Sequence, residues 1–247
     1  MDVLDDLVAE QQQIDDMLAP LDADGWELPS GAAGWSIADV VLHLAQSEEA
    51  VVLSTQGRSL ADALPAALVG ATSMDDMMSR WVASERAPGP QVFERWRRAR
   101  AAAVAALRAA DPDTRLPWAA APIKPVALAT TRLAEHWAHA LDIAEGLRVR
   151  YADTDRLRHI AWLAHRTLPY AFSVAGQEPH DVYVELLSPD GHAVWTFGEL
   201  GNENRIYGSA GAFCRVGAQR LAPDEAGLRT EGPYADAALR VLRNYAA

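Results

Sequence analysis

The run Glu135-His136-Trp137-Ala138-His139, followed by Asp142, concentrates side chains suited to acid–base or metal chemistry. On a helix, Glu135, His139 and Asp142 fall within about one-sixth of the circumference, because residues three and four apart share a face. A carboxylate and a neutral imidazole placed this way can supply two ligands to a divalent ion such as Zn2+, with the second carboxylate orienting a ligating ring. The same spacing also describes a merely solvated face, with Leu133, Trp137 and Leu141 turned inward. His136 and His139, three apart, form an alternative pair.

His43 stands among Val40, Val41, Leu42, Leu44 and Ala45, with Asp39 one turn before it and Ser47 one turn after. Burying an imidazole costs free energy unless both nitrogens find partners. His43 is therefore a hydrogen-bonded core residue, a metal ligand, or a group facing a wet cleft. The single cysteine, Cys214, excludes an internal disulfide and, beside Phe213 and Val216, reads as a small buried hydrophobe. His159 and His165 share no helical face and read as structural. Tryptophans such as Trp26, Trp35, Trp81, Trp96 and Trp137 suit helix packing without any ligand. Gly208-Ser-Ala-Gly211 precedes a helix but lacks the rest of a phosphate-binding fingerprint.

The elements that must position these residues follow from apolar periodicity. Val3, Leu4, Leu7, Val8, Ile14, Met17, Leu18 and Leu21 recur at helical steps and predict a first helix ending at Pro20. A loop with Gly25, Pro29, Gly31 and Gly34 leads to Ser36-Ile-Ala-Asp39, a capping-box pattern that starts a second helix over Ile37 to Ser54. Residues 57–86 read as one or two helical pieces, and Ala87-Pro-Gly-Pro90 separates them from a helix over Gln91 to Ala110. After Pro117, Pro122 and Pro125 a long helix runs from Ala127 to Leu147. Four long helices predict an antiparallel bundle over residues 1–150.

Beyond a soft boundary at Arg148 to Asp155 the pattern changes. Thr154 to Ser173 predicts one helix. Asp181 to Leu187 and Ala193 to Phe197 alternate around the turn Ser188-Pro-Asp-Gly191 and predict two antiparallel strands. A helix near Ala210 to Arg220, a short strand near Leu228 to Thr230 and a helix near Tyr234 to Tyr245 complete an α+β domain over 151–247. The expected fold is mainly α: a four-helix bundle followed by a small α+β domain with a short antiparallel sheet, the site lying between the two.

Composition narrows the function. The 34 acidic residues against 22 basic ones give a formal charge of -12, and Lys124 is the one lysine. Such a field repels phosphate backbones and anionic lipid headgroups, so neither nucleic acid nor a membrane surface is an expected partner. No apolar run approaches the roughly 18 residues of a membrane span. The amino-terminal Met-Asp-Val-Leu-Asp-Asp does not read as a signal peptide, and a reducing cytoplasm is the expected compartment. Oligomeric state leaves no trace in the sequence.

Gly34-Trp-Ser-Ile-Ala-Asp-Val-Val-Leu-His-Leu44 together with Thr131-Arg-Leu-Ala-Glu-His-Trp-Ala-His-Ala-Leu-Asp-Ile143 resembles the metal-binding amino-terminal domain of mycothiol-dependent maleylpyruvate isomerases, within the DinB-like bundle superfamily. The similarity is greatest to an uncharacterised actinobacterial subgroup. It extends through Thr154-Asp-Arg-Leu-Arg-His159, Val182 to Phe197, and Ala212-Phe-Cys-Arg-Val-Gly-Ala-Gln-Arg220, nearly the whole chain. The resemblance implies that His43, Glu135 and His139 hold one divalent metal, usually zinc, with the remaining positions open to water, thiol or substrate. It also implies an arginine from the carboxy-terminal domain for substrate carboxylates or thiol; Arg220 is the nearest match, with Arg215 and Arg205 as rivals. That domain departs from the isomerases' own.

The function so implied is a metal-dependent enzyme acting on a small electrophilic metabolite with a low-molecular-weight thiol, mycothiol, as an isomerase or S-transferase. His136 or Asp39 would serve as the nearby acid or base. Two other readings stand beside it: a non-catalytic metal or small-ligand binding protein of a biosynthetic pathway, and a metal-hydroxide hydrolase or rearrangement enzyme.

Overall fold

A computed structural model of the chain describes residues 2–59, 71–118 and 121–245, which divide into two compact units, one up to Tyr151 and one from Ala152 onward. The amino-terminal unit is built on four long helices: α1 (Val3–Leu18), α3 (Ile37–Thr55), α5 (Gly89–Ala109) and α6 (Pro125–Leu147). Among the described residues two shorter ones accompany them, α2 (Ala23–Glu27) and α4 (Met74–Ser84). The predicted helical pieces over 57–86 lie partly outside the described residues; α4 is the part that can be placed.

The helix α3 begins where the capping box predicts. Ser36 Oγ accepts from the Asp39 amide at 3.2 Å, and Asp39 Oδ2 accepts from the Ser36 amide at 3.1 Å. This satisfies two donors that a helix start leaves open. The helix is apolar nearly all round and sits at the centre, packed by α5, α6, α2 and α4. Ile37, Val40, Val41, Leu44, Leu133 and Ala140 are fully buried at or beside its seams. Each large aliphatic side chain so buried contributes about 1.5–3 kcal/mol.

Polar groups that α3 carries inward find partners on neighbouring helices. Gln46 donates to the Trp81 carbonyl and to Glu85, and Glu48 accepts from Arg132 at 2.8 Å with both side chains almost wholly buried. On the opposite seam Asp15 of α1 accepts both arms of Arg97, at 2.9 and 2.7 Å, and Arg100 at 2.5 Å. These guanidinium groups lie over the Phe93 and Trp96 rings, at 3.8 and 4.4 Å from the centroids.

The carboxy-terminal unit contains α7 (Leu157–Arg166), α8 (Leu168–Val174), α9 (Ala210–Gly217) and α10 (Ala235–Val241) with strands β1 (Tyr183–Leu187), β2 (Val194–Phe197), β3 (Arg205–Ser209) and β4 (Arg229–Glu231). The single helix expected over Thr154 to Ser173 is two. Pro169 has no amide hydrogen for His165 and crowds its carbonyl, so the chain breaks at Thr167, whose hydroxyl donates to the Leu163 and Arg243 carbonyls.

The sheet order is β2-β1-β3-β4. β1 pairs antiparallel with β2 and parallel with β3, so the sheet is mixed rather than purely antiparallel. Sequence reading missed β3 because Ile206 is its one buried apolar residue among polar neighbours. α9 and α10 also end earlier than their apolar residues implied. Among the described residues, no helix is long and apolar enough to cross a membrane.

The Asp15 carboxyl is held below the usual carboxylate range by hydrogen bonding from Arg97, which together with the charges of Arg100 and Arg97 outweighs the effect of burial. A group whose pKa is depressed on folding stabilises above its unfolded value, and that contribution disappears as pH falls through the folded one. Asp15→Asn is expected to cost about 1–3 kcal/mol at neutral pH. The difference from wild type should shrink in acid, as read by urea unfolding midpoints at pH 7 and pH 3.

Candidate metal centre

The bundle brings His43, two turns into α3, against Glu135 and His139 of α6. His43 Nε2 lies 2.9 Å from Glu135 Oε1, and His139 Nε2 lies 3.6 Å from the same oxygen. The imidazole centroids are 4.9 Å apart with the rings near perpendicular, at 71°. One donor atom from each residue falls within 4.8 Å of the other two. The His43 and His139 side chains are 7% and 12% exposed and that of Glu135 27%, so the cluster is shielded on the histidine side and reachable past the carboxylate.

Asp142, 1% exposed, completes the arrangement from one turn further along α6. Its Oδ2 accepts from His139 Nδ1 at 2.9 Å. That bond directs the Nδ1 proton at Asp142 and turns Nε2 toward the cluster. The face sketched as solvated is therefore inside the protein. Its carboxylates sit against imidazoles, and Leu133 and Trp137 are buried on the other side of the same helix.

The electrostatics follow from burial and pairing. Burial pushes the His43 pKa down more than its bond to Glu135 raises it, which keeps that imidazole neutral. Burial also acts on Glu135, but its pairing with His139 and His43 and the charge of Arg132 outweigh it and hold the carboxyl well below its ordinary range. His139 moves the other way: burial lowers it, and Asp142 and Glu135 together raise it further. Two imidazole nitrogens and a carboxylate oxygen converge, a donor set that carries one negative charge when both imidazoles are neutral and fits a divalent ion with room for another ligand.

Other expected residues fall elsewhere. His136 is fully buried and faces the bundle interior. Its Nδ1 donates to the Arg132 carbonyl at 2.9 Å, and its Nε2 accepts from Trp96 Nε1 at 3.3 Å, with Gln11 Nε2 at 3.5 Å. With both nitrogens engaged and no solvent contact, it is a core histidine and has no route to act as an acid or base. Asp39, the other expected acid or base, is committed to the capping box and to both arms of Arg86, at 2.8 and 2.9 Å.

The arginine rivals also separate. Arg215 is paired with Asp153 through two bonds of 2.7 and 2.9 Å, and Arg205 donates to the Asn202 and Leu200 carbonyls. Arg220 is exposed and donates to the Ala218 carbonyl at the end of α9. Cys214 is fully buried, its thiol pushed up by burial, in keeping with a packing role.

Sequence reading missed one neighbour of the cluster. The Trp35 indole lies 5.1 Å from the His43 ring and stacks along His139 at 6.1 Å. No spacing rule connects a loop residue to two helices, although the stretch Gly31 to Ser36 just before the capping box marks a constrained entry into α3.

Residues 7–144 match the family described as the mycothiol maleylpyruvate isomerase N-terminal domain. An uncharacterised protein found in two strains of Mycobacterium tuberculosis is 34% identical over 98% of this chain and 94% of its own length. The fold is similar to the crystal structure of the mycothiol-dependent maleylpyruvate isomerase, with a TM-score of 0.61 and 14% identity over 94% of this chain and 93% of that one. A histidine-to-alanine variant of that enzyme superposes with a TM-score of 0.60 at 15% identity over the same shares.

Burial lowers the His136 pKa to about 3, against roughly 6.5 in the unfolded chain. Its stabilising contribution is therefore complete above the unfolded value and is lost as pH falls from there toward 3, at up to about 1.4 kcal/mol per pH unit. Imidazole NMR across pH 5–8 should show the His136 resonances unmoved, with Nδ1 carrying the proton. Titration of His136 within that window would contradict the buried network.

Proposed function

The chain belongs to the mycothiol maleylpyruvate isomerase N-terminal domain family, and on that footing we propose that it is a metal-dependent enzyme using a low-molecular-weight thiol on a small electrophile. The observation that carries the metal half of this reading is the meeting of one donor atom each from His43, Glu135 and His139 within 4.8 Å, with Asp142 orienting His139 through Nδ1. His43, Glu135 and His139 would hold the ion, leaving a coordination position open as catalytic zinc sites do. An ion there supplies Lewis acidity and lowers the pKa of a thiol or water.

The chain's own residues set the rest. Glu135 presents its carboxylate on the more exposed side of the cluster, while the neutral His43 closes the other. Arg220 of the carboxy-terminal unit, the arginine that the resemblance implies, is the residue proposed to bind a substrate carboxylate, an anion that a guanidinium fork suits. The thiol sulfur would form a bond to an activated alkene carbon, displacing the alkene electron pair onto a conjugated carbonyl. Rotation about the resulting single bond and return of that pair, expelling the sulfur, gives the geometric isomer with the thiol regenerated. Protonation at carbon instead gives the S-conjugate.

Elemental analysis of protein purified without chelator is expected to give about one equivalent of zinc or a similar ion, lost in a folded His43→Ala/His139→Ala variant. With mycothiol as sole thiol, an activated cis-alkene acid should turn over, and removal of the thiol should abolish turnover. A folded wild type that takes up no metal on reconstitution would overturn the metal assignment; turnover undiminished without thiol would overturn the thiol assignment.

A further inference from the structure

The two histidines of the cluster are held differently. His139 is fixed on its far side by Asp142, bonded at Nδ1. The His43 Nδ1 is buried and has no hydrogen-bond partner among the described residues. A metal-ligating imidazole is normally oriented through its second nitrogen, and χ2 of a histidine is otherwise broad and roughly two-fold. Beyond the Nε2 contact with Glu135 itself, no hydrogen bond among the described residues fixes the His43 ring from its far side. The Trp35 indole is in place to do so, tilted 48° to His43 at 5.1 Å while stacking at 24° along His139.

The Trp35 backbone is itself clamped. The Ser30 amide and hydroxyl both donate to the Trp35 carbonyl at 2.9 Å, the Trp35 amide donates to the Ala32 carbonyl at 3.0 Å, and Pro29 bridges to Ser36. The loop is also seated on α6. The Gly31 amide donates to the Asp142 carbonyl at 2.9 Å. A Cβ at Gly146 would stand 2.5 Å from the Pro29 carbonyl oxygen, so glycine there is what lets the loop approach the helix. Asp142 thus serves both restraints: its carboxylate orients His139, and its backbone carbonyl anchors the loop that carries Trp35.

We propose that Trp35 is a positioning residue for the metal ligands, its loop-clamped indole fixing the His43 and His139 rings so that their Nε2 atoms stay converged on Glu135. The inference rests on the reading of His43, Glu135 and His139 as a metal site. The indole acts by contact with two imidazoles at once, the restraint that His43 lacks at Nδ1. Its replacement by another flat ring should preserve the restraint, and replacement by an aliphatic chain of lesser breadth should not.

The test is zinc affinity of the full chain, measured by chelator competition. Trp35→Leu is expected to weaken zinc binding about 10–100-fold and Trp35→Phe by no more than about threefold, a rescue that loss of apolar bulk alone would not produce. A second readout does not depend on the leucine variant folding: zinc should change the tryptophan fluorescence of wild type, and that change should disappear in Trp35→Phe although zinc still binds. Wild-type affinity in Trp35→Leu, or a wild-type fluorescence response in Trp35→Phe, would overturn the inference while leaving the metal site standing. A wild type that binds no zinc would overturn both.

Discussion

Two imidazoles and a carboxylate are withdrawn from water at one point between α3 and α6, and charge moved into a protein interior has to be balanced within a few ångströms. In the chain alone the balance is struck by protonation: Glu135 stays ionised, His43 stays neutral under burial, and His139, between Glu135 and Asp142, is driven toward its charged form. A divalent ion on the same three donor atoms would balance that charge directly and free His139 to act as a neutral ligand. Much of the local architecture serves to hold this one meeting point.

That architecture places polar partners on an otherwise apolar seam. The fully buried Glu48–Arg132 pair sits one turn along from the cluster and contributes positive charge beside Glu135. Removing one partner of such a pair leaves an uncompensated charge, whereas an intact pair adds geometric definition more than net stability. The His136–Trp96–Gln11 contacts do the same on the far side of α6, so that of three titratable residues in five positions Glu135 and His139 meet in the cluster while His136 turns into the bundle interior. Asp39, Arg86 and the capping box fix where α3 starts and therefore which turn carries His43.

The long helices were legible because their signals are local: apolar periodicity over four or five turns, Ser36 and Asp39 at one helix start, prolines and glycines at the ends. His43, Glu135 and His139 were legible as types and spacings, and their family resemblance connected residues 92 positions apart that no local rule could join. What could not be read was which way each polar face turns. His136 and His139 are indistinguishable by residue type, and their opposite fates depend on Trp96 and Asp142. The strand β3 has one inward apolar residue and borrows its conformation from β1. Trp35 acquires its place only when a loop, its hydrogen bonds and two helices are assembled together. The break at Thr167 was signalled by Pro169, against which the continuous apolar stripe of α7 and α8 argued for one helix.

The most direct test of the account is X-ray absorption at the zinc edge on stoichiometrically loaded protein, compared with Glu135→Gln and His43→Ala loaded in the same way. The account predicts light-atom ligands at about 2.0–2.1 Å with the outer-shell scattering of two imidazoles, one of them lost in His43→Ala and the oxygen ligation altered in Glu135→Gln. Zinc bound without an imidazole signature, or spectra unchanged by either substitution, would place the ion elsewhere and contradict the account.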